Sequence, residues 1–69
     1  MIDTAKLKGR IVEMGLTQQD VAYMIGKTPK TFYAKMKKGV FDSNEILTMV
    51  EALDIENPTE IFFTNKVAQ

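Results

Sequence analysis

The chain has 69 residues, enough for one small domain, and holds no cysteine and no histidine, which excludes a disulfide framework and a zinc site of the usual ligands. Its zero net charge hides an imbalance: residues 1–40 carry eight basic and three acidic groups, net +5, while residues 41–69 carry one basic and six acidic groups, net −5. Such asymmetry points to a polyanion as partner of the basic half, and the apolar runs fall far below the roughly 20 residues that cross a bilayer.

Start and stop signals bracket five helices. The first covers about 4–14, with Leu7, Ile11 and Met14 spaced as one apolar stripe. Gly9 weakens it, and Gly15 supplies a left-handed stop. Thr17 caps the second, about 18–25, and Asp20 faces the positive end of its dipole. Val21, Ala22 and Ile25 form the inner face, and Gly26 ends the helix. The third, about 29–38, opens with Thr28 as cap and Pro29 in the first turn, where a missing N–H costs nothing. Phe32 and Met36 are its buried pair, and Gly39 closes it. Asp42 or Ser43 caps the fourth; with Asp42 as cap, Glu45 completes a capping box. Ile46, Leu47, Val50 and Leu53 provide its apolar side. Asn57-Pro58-Thr59-Glu60 repeats the same start pattern and opens a short fifth helix with Ile61, Phe62 and Phe63. The five methionines read as core filler.

No segment alternates with period two, so the chain reads as all-α, one domain over 1–69 with its core in about 4–63 and a frayed tail at 64–69. The second and third helices, with a tight turn between them and lysines on the third, read as a helix-turn-helix whose second helix enters a DNA major groove.

Gln18, Ala22, Gly26 and Phe32, with the Gly-Leu-Thr-Gln lead-in at 15–18, resemble the signature of phage Cro and repressor DNA-binding domains. The look is nearest to the short Cro-like regulators of prophages in Gram-positive bacteria, and it covers about residues 5–63. The resemblance implies a compact five-helix, lambda-repressor-like fold. Physical reasons for the spacing stand beside it. Ala22 sits where two helices cross closely, Gly26 turns the chain at positive φ, and Phe32 locks the third helix on the second. Two positions depart from the family pattern: Lys27 and Lys35 stand where it is usually apolar, which leaves open a slight rotation of the third helix or an extended end. The family also often has an Arg–Glu pair between the first and third helices. The matching positions look like Ile11 and Met36, so an apolar contact is expected there.

With Phe32 and Met36 inward, Pro29, Lys30, Tyr33, Ala34 and Lys37 face outward. Lys30 suits guanine O6 or N7, Ala34 a thymine methyl, Tyr33 a base or the sugar-phosphate wall, and Thr31 a base or a phosphate. The resemblance makes the positions of Pro29, Lys30 and Ala34 base readers. Pro29 has no side-chain hydrogen bond to offer, so specificity leans on Lys30, Tyr33 and DNA shape. Gln18, at the start of the second helix, matches a phosphate-binding glutamine of the family. Lys27, Thr28, Lys37 and Lys38 bracket the third helix and are the other expected phosphate contacts. Lys35 reads as a solvated side chain.

Function is then expected to be sequence-specific transcription regulation on a double-stranded, palindromic operator, in the bacterial cytoplasm, by a homodimer. Ile61, Phe62 and Phe63 cannot all point inward, so they and Val67 are candidates for the dimer surface. The alternative is a protein-interaction modulator, such as an antirepressor of a phage repressor. An enzyme is not expected, because the common general bases and thiol nucleophiles are missing. Nor is any cofactor, metal, membrane or small-molecule ligand.

Overall fold

In a computed structural model, residues 2–63 of the chain are described. Their regular structure is helical throughout: α1 (Thr4–Glu13), α2 (Gln18–Met24), α3 (Pro29–Lys38), α4 (Ser43–Ala52) and α5 (Pro58–Phe62). No described helix is long and apolar enough to cross a membrane.

Four of the five starts are fixed by a side-chain cap, which satisfies backbone N–H groups that have no partner inside the helix. Asp3 accepts from the Lys6 amide at 3.1 Å, a cap the sequence reading left out. Thr17 and Asp20 form a complete capping box, as do Asp42 and Glu45. Thr28 Oγ1 accepts from the Thr31 amide. Asn57 departs from the expected pattern. It makes no cap bond, and its side-chain amide donates to Glu60 Oε2 at 3.2 Å instead.

One core gathers Leu7, Ile11, Val21, Ala22, Phe32, Met36, Phe41, Met49, Leu53, Ile55, Ile61 and Phe62. The central helix is α2, packed on α1, α3 and α4, while α5 packs on α1. Ile11 and Met36 both lie in this core. The Asp3 amide donates to the Ile61 carbonyl at 2.7 Å and closes the start of the chain onto α5.

Several apolar residues fall outside their expected places. Met14 is the C-cap residue of α1 and is 39% exposed. The helical stripe ends with the helix, and Leu16, beyond the turn, packs on the core in its place. Leu47 is 59% exposed because about 200° of helical rotation separates it from both Glu45 and Met49, which face inward. Met49 is fully buried and was absent from the expected apolar side. Met24 is also exposed, so methionine is not uniformly core filler here. Ile25 is the C-cap of α2 and only half-buried.

Gly26 has φ +76°, and no atom lies within 4 Å of where a Cβ would stand. The glycine is required by backbone handedness and not by a crowded neighbour. It lets the Lys27 amide reach the Ala22 carbonyl at 2.9 Å and turns the chain in residues 25–28 toward α3.

Gly9 is different: it is exposed inside α1, with ordinary helical φ and open space around a would-be Cβ. Gly9→Ala is expected to stabilise the fold by about 0.5–1 kcal/mol through reduced chain entropy. A thermal melt checks this; an unchanged or lower midpoint contradicts it.

Candidate nucleic-acid interface

The outer face of α3 is open. Lys30, Thr31, Tyr33, Ala34, Lys37 and Lys38 are exposed, and Pro29 is half-buried in the first turn. Phe32 and Met36, four residues apart, hold the opposite face in the core. The Phe32 ring meets Phe41 at 5.5 Å and the edge of Tyr33 at 6.4 Å, so Tyr33 is braced at its base while its outer part stays in solvent.

Electrostatics separates the lysines of α3 into two groups. Lys35, Lys37 and Lys38 occupy the last turn, where the negative end of the helix dipole favours a cation. Their clustering has a local cause. Lys30 does not share it: it stands in the first turn, which has no acidic residue and where the dipole opposes a cation. Among the described residues, Lys30, Lys37 and Lys38 form no ion pair.

Thr28 and Thr31 form a hydroxyl pair. Thr28 Oγ1 accepts from the Thr31 amide at 3.2 Å and donates to Thr31 Oγ1 at 3.1 Å. This orientation leaves the Thr31 hydroxyl proton free to donate outward. Gln18 is the first residue of α2 and half-buried. One turn of box geometry beside it, Asp20 Oδ2 accepts from the Thr17 amide at 2.9 Å. The box engages the Thr17 and Asp20 amides, while the backbone N–H and the side-chain amide of Gln18 both remain able to donate to an anion.

Two expected roles change at Glu45. This residue is 4% exposed in the first turn of α4. Its Oε1 accepts from the Asp42 amide at 2.9 Å and from Lys35 Nζ at 3.1 Å. Its Oε2 is buried without a hydrogen-bond partner, and Lys27 Nζ lies 3.7 Å away. Lys35 is thus tied down and not a solvated side chain. Lys27, an expected phosphate contact, turns toward this carboxylate. Sequence reasoning found the capping role of Glu45 and stopped there.

The C-terminal apolar triplet divides as its spacing demands. Ile61 and Phe62 are core residues, which removes them as surface candidates, and Phe63 is 58% exposed. Val67 lies outside the described residues. The acidic groups Asp54, Glu56 and Glu60, with Glu13, Lys6 and Arg10, line an open groove of about 570 Å³ between α1 and the α5 end. No residue of α2 or α3 lines it, so these carboxylates do not cover the outer face of α3.

No protein-family model matches the chain, and no curated protein or solved structure matches it.

Proposed function

We propose that the chain is a DNA-binding transcription regulator of the Cro and phage-repressor type. In this reading α2 and α3 are a helix-turn-helix in a lambda-repressor-like fold, and α3 enters the major groove of a two-fold operator. The observation that carries the reading is Lys30, an exposed, unpaired cation kept in the first turn of α3 against the helix dipole. A charge placed there at an energetic cost calls for an external anion or acceptor, and guanine O6 and N7 are the acceptors the groove offers.

Around Lys30, Thr31, Tyr33 and Ala34 read base edges, with Pro29 shaping the entry. Gln18, Thr28, Lys37 and Lys38 hold phosphates on either side. These contacts position the helix without reading sequence. Phe63 offers the apolar anchor for a homodimer, which places two α3 helices on half-sites about 34 Å apart. With about three phosphates neutralised per chain, a dimer gives a salt slope of roughly −5.

Fluorescence anisotropy on random-sequence duplex at low salt tests the reading first. Absence of binding at micromolar protein removes it and favours a protein partner. Selection from random DNA then defines the operator. On that operator, Lys30→Ala is expected to lose about 1–3 kcal/mol and to relax one base position. Lys38→Ala is expected to lower affinity equally for all sequences and to flatten the salt slope by about 0.9 per chain. Equal loss on every sequence for Lys30→Ala would make it a phosphate contact instead.

A further inference from the structure

We propose that Glu45 is a positioning residue that withholds Lys27 and Lys35 from a bound polyanion, so that Lys30, Lys37 and Lys38 alone set the charge that α3 offers. This role rests on the DNA reading above. It follows from a count of what one buried carboxylate needs.

The Glu45 side chain is 3% exposed, and its two oxygens are used unequally. Oε1 takes the Asp42 amide and the Lys35 ammonium. Oε2 has no hydrogen bond, and the Lys27 ammonium at 3.7 Å is the cation that faces it. A buried carboxylate stripped of its counter-charge is strongly disfavoured, because water does not replace what is lost. A backbone phosphate, by contrast, sits in water and salt, where the attraction of one more lysine is screened. Glu45 therefore outcompetes a phosphate for both ammonium groups, although Lys27 remains 38% and Lys35 29% exposed. Geometry adds a second consequence. Lys27 precedes α3 and Lys35 lies in its last turn, so one carboxylate on α4 holds α3 near both of its ends.

The test is the salt dependence of binding to a labelled duplex of random sequence. Glu45→Gln keeps a side-chain oxygen for the Asp42 amide and removes the charge, and a thermal melt verifies that it folds. It is expected to bind more tightly than the wild type at low salt, with a slope steeper by about 0.9 per chain for each lysine released. A purely structural role predicts the opposite sign. Lys27→Gln added to Glu45→Gln is expected to take back its share of the increase. Lys27→Gln and Lys35→Gln alone are expected to leave the slope unchanged, and these variants decide the matter should Glu45→Gln fail to fold. An unchanged or shallower slope in folded Glu45→Gln overturns the proposal, as does a slope flattened by about 0.9 in either single lysine variant. If the wild type binds and the variants behave this way, only the Glu45 role falls. If the wild type binds no duplex at micromolar protein, the DNA reading falls, and this role with it.

Discussion

Phe32→Ala is expected to remove most of the fold's stability at room temperature. Phe32 is fully buried, the ring at the junction of α3, α2 and Phe41. Truncating a buried phenylalanine costs about 3–5 kcal/mol, the lost transfer energy plus the cavity left behind. A domain of this length has a total stability near the low end of about 5–15 kcal/mol, so the loss is of the same order as the whole. Urea denaturation followed by circular dichroism gives the difference directly. A variant with a melting midpoint near that of the wild type would mean that the α2–α3 packing is not what holds the core. Phe32→Leu, which keeps most of the volume, is expected to fold.

Arg10→Ala is expected to cost about 2 kcal/mol while leaving the salt slope of DNA binding as it was. Arg10 Nε donates to the Leu53 carbonyl at 2.7 Å and its Nη2 to the Asp54 carbonyl at 2.9 Å. These are the backbone groups where α4 ends, and the guanidinium satisfies both while facing the negative end of the helix dipole. It also steadies Asp54, which holds a left-handed φ of 48°. Arg10→Lys is not expected to restore the stability, because a single ammonium lacks the fork that spans two carbonyls. The check is a melt of the three proteins beside their binding isotherms. A flattened salt slope in Arg10→Ala would instead place Arg10 against DNA.

The helices were legible because their signals are short-range. Thr28 with Pro29, Asp42 with Glu45, and glycines 15, 26 and 39 act within a few residues of each other; Thr28, Asp42 and Gly39 stand as caps, and Gly15 and Gly26 turn at positive φ directly after the caps Met14 and Ile25. Phe32 with Met36 likewise followed from a four-residue spacing. What escaped depends on contacts between distant segments. Arg10 and its carbonyl partners are 43 and 44 residues apart, a separation to which no local pattern refers. Leu47 and Met49 were exchanged because an apolar run in a short helix does not fix which residue faces the core until the rotation is known. Glu45 escaped for another reason: its capping role already explained it. The available signal was the pair of lysines, Lys27 and Lys35, standing where the pattern that the chain resembles is apolar. Read together, two misplaced cations call for one buried anion, and the fold supplies it in Glu45.

The 2.7 Å bond between the Asp3 amide and the Ile61 carbonyl means that the first and the last of the five helices come back to one another. Joining the segment before α1 to the end of α5 by a brief flexible linker would cost little loop-closure entropy. A break could then be opened in an exposed connection elsewhere, such as the one holding Val40. Serial order along the polypeptide is thus separable from the architecture, and a circularly permuted version is a practical way to choose where a tether or a fluorophore leaves the molecule.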